Sequence, residues 1–134
     1  MDFELAKKLI KKAREALINS YSPYSRLKVG AALLTQDGKI FTGVNIENAS
    51  FSLTICAERV AVFKAVSEGY RDFKAIAITS DRGKIMPCGA CRQVLAEFSP
   101  QIQVIVGDEN EIEIYSLTSL LPEGFHKSFL GSFD

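Results

Sequence analysis

Two stretches, Cys56-Ala57-Glu58-Arg59 and Pro87-Cys88-Gly89-Ala90-Cys91, hold all three cysteines of the 134-residue chain. Three thiols suit a zinc ion with one coordination position left open, and Glu58 stands close enough in sequence to work on a water there. Cys88 and Cys91, at a C-x-x-C spacing on the first turn of a predicted helix, point their sulfurs the same way. Cys56 opens another helix. Free N–H groups and the helix dipole stabilise thiolates at such starts, so convergence of the two would build a tetrahedral centre. Three thiolates leave a divalent cluster at about −1, and Arg59 is the cation to offset it, donating to one or two sulfurs.

Other readings stand beside this one. Cys88–Cys91 alone would also suit a redox pair. A closed structural site needs four ligands, which the single histidine, His126, could complete. Arg59 alone would pass for a surface ion-pair residue. The joint pattern favours zinc catalysis.

Outward from the two stretches, the chain alternates helices and strands. Residues 2–18 form an amphipathic helix with Leu5, Leu9, Ile10, Ala13 and Leu17 on one face, Asp2 as N-cap and lysines on the solvated face. Tyr21-Ser22-Pro23-Tyr24-Ser25 breaks it. Strands over 27–35 and 39–45 follow, joined at Asp37-Gly38 as a hairpin. The thin run Gly30-Ala31-Ala32 invites a close neighbour. The second helix spans 56–68, burying Val60, Ala61, Phe63, Ala65 and Val66, with Gly69 at its end.

A continuous apolar strand over 73–79 belongs mid-sheet. The third helix ends near Ser99-Pro100. Strands over 102–106 and 111–115 lie too close in sequence for a parallel crossover and should pair antiparallel. Ser116 caps a short helix to Leu121. The tail carries Phe125, Phe129 and Phe133, which suit another subunit or a pocket better than a small core. The whole predicts an α/β fold: one three-layer α/β/α domain over 1–134 with a mixed five-stranded sheet, and zinc where two helix starts meet on one face.

Sixteen basic and sixteen acidic residues cancel, which speaks against a nucleic-acid binder relying on a broad basic surface. No apolar run approaches the ~20 residues of a membrane span, and the N-terminus is acidic where a signal peptide would be basic. Three cysteines cannot all pair within one chain, so a reducing cytoplasm is expected.

The pattern Cys-x-Glu … Pro-Cys-x-x-Cys resembles that of the zinc-dependent nucleobase deaminases. More closely, the sequence is similar to the small, three-cysteine, homotetrameric cytidine deaminases. The likeness runs from Tyr21 to Phe125. It includes residues 21–25, 29–33, the run Gly43-Val44-Asn45-Ile46-Glu47-Asn48-Ala49-Ser50, Cys56–Arg59, residues 87–94 and Leu120-Leu121-Pro122. The resemblance implies one zinc per subunit on Cys56, Cys88 and Cys91, with Glu58 transferring protons. Asn45 and Glu47 would bracket the ribose 3′-hydroxyl, and Ala57 would lie against the base. Phe51 and Phe125 would be aromatics lent between subunits of a tetramer with shared active sites.

Leu27 stands where the family usually has Phe; it keeps an apolar contact without stacking, so weaker binding or an altered preference is expected. The implied reaction is hydrolytic deamination of cytidine and 2′-deoxycytidine, about equally well, in pyrimidine salvage. The rivals are a deaminase for another aminated ring, an enzyme editing RNA or DNA, and a zinc-stabilised binding module using His126.

Overall fold

The computed structural model describes residues 2–131. It begins with α1, Phe3–Ala16, where the Asp2 carboxylate accepts the Glu4 N–H at 3.0 Å. That bond satisfies one of the free donors every helix start leaves. The apolar stripe buries Ala6, Leu9, Ile10 and Ala13. The last turn expected of this helix tightens instead into a 3-10 turn, Leu17–Asn19, before the Tyr21–Ser25 break.

Strands β1 (Val29–Thr35) and β2 (Ile40–Val44) form the predicted hairpin, closed by Thr35 N–H to Lys39 O at 2.9 Å and by Gly38 at φ +95°. The remaining elements are α2 (Ala57–Ser67), β3 (Phe73–Ser80), α3 (Gly89–Phe98), β4 (Gln103–Gly107), β5 (Ile112–Ser116) and α4 (Leu117–Leu120). The sheet order is β2-β1-β3-β4-β5. Only β3 and β4 run parallel, with α3 as their crossover, so the sheet is mixed and β4–β5 is antiparallel as expected.

Alternation along the strands separates two apolar layers. Ala32, Leu34, Ala75, Ala77 and Ile105 face α1. Ala31, Leu33, Ile76, Ile78, Val104 and Val106 face α2, α3 and α4. The three-layer α/β/α arrangement follows. Gly30 is required by α1: a Cβ there would sit 2.1 Å from the Ala13 carbonyl oxygen.

α2 departs from expectation in its face. Its buried residues are Ala57, Glu58, Ala61, Val62 and Ala65, whereas Val60 and Val66 are half-buried and Phe63 is 47% exposed. The cause is Gly43 on β2, whose missing Cβ lets the helix backbone pass where that atom would lie 2.4 Å from Ala57 O and 2.5 Å from Ala61 N. So close an approach demands the alanine row at every fourth residue against the sheet and turns Phe63 outward. Hydrophobicity alone did not reveal that rotation. Among the described residues no helix is long and apolar enough to cross a membrane.

Candidate active site

Cys56 is the N-cap of α2 and Cys88 the N-cap of α3, while Cys91 lies in the first turn of α3. Neither capping cysteine uses its side chain to cap its helix, which leaves the sulfurs free to face one another. Cys56 Sγ lies 3.8 Å from Cys88 Sγ, and Cys88 Sγ lies 3.5 Å from Cys91 Sγ. All three are free thiols.

Zinc–sulfur bonds of about 2.3 Å put the sulfurs of a tetrahedral site about 3.8 Å apart, so the cluster fits a zinc ion. Its three members lie within 4.8 Å of one another, and His126 is not among them. His126 instead stacks beside Phe129, ring centres 6.4 Å apart. Among the described residues the cluster therefore has three protein ligands, which would leave a bound zinc one open coordination position.

The electrostatics suit a cation. Hydrogen bonding from the Cys91 thiol, with help from Arg59, pulls Cys56 down to about 5. The Cys91 thiol is held well up, first by that hydrogen bond to Cys56, then by burial and by the neighbouring negative charges. Arg59 Nη2 donates to Cys56 Sγ at 3.4 Å, as its sequence position suggested. Its buried Nε finds no partner among the described residues.

Glu58 is 4% exposed. Burial, the largest influence, raises its carboxyl to about 7. A carboxyl poised there can both accept and release a proton near neutral pH.

A cavity of about 230 Å³ opens beside the sulfurs. Leu27, Asn45, Glu47, Ala57 and Glu58 line it together with Cys56 and Cys88. Asn45 is buried and tightly held: Oδ1 accepts Val29 N–H at 3.0 Å and the Ser20 hydroxyl, and Nδ2 donates to Leu27 O at 2.7 Å. Glu47 Oε1 accepts the N–H groups of Tyr24 at 2.9 Å and Ser25 at 3.1 Å, and Oε2 accepts the Ser25 hydroxyl.

Those hydrogen bonds, that of the Ser25 hydroxyl first, hold the Glu47 carboxyl below its ordinary range. Its charge is therefore secure at neutral pH. The lining includes both carboxylates and no lysine or arginine.

Sequence reasoning passed over Ser25, Thr54, Ile85 and Met86, which also line the cavity. The signal available for Ile85-Met86 was an apolar pair directly before Pro87-Cys88. Two expected contributors lie elsewhere in this chain. Phe51, 73% exposed, borders a neighbouring cleft and meets Tyr24 edge-on, ring centres 5.8 Å apart. Phe125 stacks on Phe129, and Phe133 lies outside the described residues.

Residues 3–107 match the family model described as the cytidine and deoxycytidylate deaminase zinc-binding region. The chain belongs to the cytidine deaminase family. It is 49% identical to a cytidine deaminase of Sporosarcina psychrophila, over 97% of this chain and 96% of that one. A probable cytidine deaminase of Dictyostelium discoideum is 48% identical over 97% of this chain and 90% of its own length. The crystal structure of cytidine deaminase from Burkholderia pseudomallei superposes with a TM-score of 0.84 at 47% identity, covering 88% of this chain and 97% of that chain. The mixed five-stranded sheet is thus a cytidine deaminase fold, and zinc is the metal its three-sulfur cluster takes.

Proposed function

We propose that the protein hydrolyses the 4-amino group of cytidine and 2′-deoxycytidine, giving uridine or 2′-deoxyuridine and ammonia. The observation that carries this reading is a buried carboxyl, Glu58, lining one cavity with Cys56, Cys88, Asn45 and Glu47, beside a cluster of three sulfurs. Cys56, Cys88 and Cys91 would hold the zinc, which when bound supplies a Lewis acid that acidifies water at its open corner. Glu58 takes the proton of the attacking water and passes protons to the ring nitrogen and the departing amine. Water supplies the new oxygen and ammonia leaves, so the reaction balances without a redox partner.

Arg59 offsets the charge of the sulfurs. Asn45 offers its remaining amide N–H and Glu47 its carboxylate to the ribose 3′-hydroxyl, while Ala57 and Leu27 meet the base and sugar as small apolar surfaces. A family that spans nucleosides and nucleotides leaves that choice open. The cavity lining favours the nucleoside, because a 5′-phosphate would meet carboxylates and no cation.

The chain forms one domain over 1–134 and works as a cytoplasmic homotetramer in pyrimidine salvage. Both apolar layers pack on a single sheet, which supports one domain. Exposed Phe51, Phe63, Phe125 and Phe129 support burial against further copies, with Phe51 and Phe125 lent to neighbouring sites.

The test is a spectrophotometric cytidine assay with zinc quantified on the same sample. Glu58→Ala should keep its zinc and fold while losing about 10³-fold or more in kcat. Near-normal turnover in that variant, or no zinc in active protein, refutes the proposal.

A further inference from the structure

Beyond α4 the described residues form no strand, and they return past the first turn of α3. Gly124 is buried there, and a Cβ at that position would lie 2.9 Å from the Leu121 side chain. Past Leu121 the backbone bonds locally: Phe129 N–H reaches His126 O, and Gly131 N–H reaches Ser128 O. Among the described residues, one hydrogen bond ties that stretch to another element. In it Gln93 Nε2 donates to the Phe125 carbonyl at 2.7 Å.

The preceding residue works in parallel. Arg92 donates from Nε to Pro87 O at 2.9 Å and from Nη1 to Leu120 O at 2.7 Å. It thereby joins the residue before Cys88 to the end of α4. Arg92 and Gln93 directly follow Cys91, so a single helical turn carries a metal-binding sulfur, holds the end of α4 at the Leu120 carbonyl and holds the tail at the Phe125 carbonyl. The Phe125 backbone is held while its ring stays 56% exposed. With the backbone fixed, only the two side-chain torsions of the ring remain to be ordered when it meets another molecule.

We propose that Gln93 is a positioning residue for substrate binding, its amide aiming the Phe125 ring from the turn that carries Cys91. The inference rests on the reading that Phe125 meets substrate across a subunit boundary. Gln93 does not line the cavity, so it acts through Phe125. A neutral amide suits the task, because it satisfies a carbonyl without adding charge next to the sulfur cluster.

The zinc-loaded assembly provides the test. Gln93→Met keeps the length and bulk of the side chain and removes the donor. It should raise KM for cytidine about tenfold, leave kcat within about twofold, and change neither zinc content nor assembly mass. Gln93→Glu, which also lacks a donor, gives the same KM rise should Gln93→Met fail to assemble. Gln93→Lys retains a donor and should stay within about threefold of the parent KM.

Phe125→Leu should raise KM as well, and the double variant should be no worse than the poorer single one. The chain contains no tryptophan, so Phe125→Trp is a lone fluorescence reporter. Adding Gln93→Met to it should steepen quenching by acrylamide. An unchanged KM in Gln93→Met beside an impaired Phe125→Leu overturns this inference alone, as does a Lys variant as poor as Met or quenching that stays the same. An unchanged KM in Phe125→Leu overturns the reading beneath it.

Discussion

Three donors converge on the Glu47 carboxylate: the N–H groups of Tyr24 and Ser25 and the Ser25 hydroxyl. Hydrogen bonds to a carboxylate favour its charged form, so protonation is delayed to lower pH. If Glu47 holds the ribose, KM should stay flat down through the ordinary carboxylate range and rise only below it. Ser25→Ala removes the first of those bonds and should shift that rise to higher pH, with KM at pH ~4 up to about threefold above the parent. The check is KM against pH, normalised to bound zinc; identical acid limbs would contradict the role of Ser25. Asn45 and Glu47 stood out in the sequence as an amide and an acid on alternate positions. Ser25 did not, because 22 residues separate it from Glu47 and it reads locally as part of a helix break.

Helix starts were legible because their causes are local. Asp2, the Asp37-Gly38 hairpin, Gly69 after α2 and Ser116 before α4 all do what their residue types favour. The face of α2 was not legible, since it depends on a glycine in another element. Gly43→Ala would drive a Cβ into the backbone of Ala57 and Ala61, with no flexible side chain to yield. We expect a loss of about 2–3 kcal/mol and a Tm about 10 °C lower. Because α2 carries Cys56 and Glu58, the same variant should give up zinc to a chelator more readily. An unaltered Tm would mean that the contact relaxes freely.

The apolar surface left uncovered has a pattern. Ile46, Leu53 and Phe63 line one exposed groove, and Phe125, Phe129 and Leu130 project from the tail. If copies of the chain cover these residues, light scattering should give a mass four times that of the chain. If the active sites are shared as proposed, inactive Glu58→Ala and impaired Phe125→Ala chains should complement one another. Random mixing would reassemble about a quarter of the sites with both residues intact. Activity no greater than that of the separate variants would place both residues in one chain's site. The tail aromatics were conspicuous in the sequence, but only the fold showed that Phe125 and Phe129 do not line the cavity of their own chain.

By itself the sequence determined the chemistry available: three thiols, one acid two positions after the first, and a nearby arginine, each beside a helix start that stabilises negative charge. These depend on neighbours a few residues away, and such short-range preferences survive in any fold. Tertiary structure decided what that chemistry becomes. It brought Cys56 to Cys88 across 32 positions, and it buried Glu58 deeply enough to raise its carboxyl to about 7. It also turned Phe63 to the surface and hung the tail on Gln93. Those outcomes depend on desolvation and close packing between distant segments, which residue types alone do not specify.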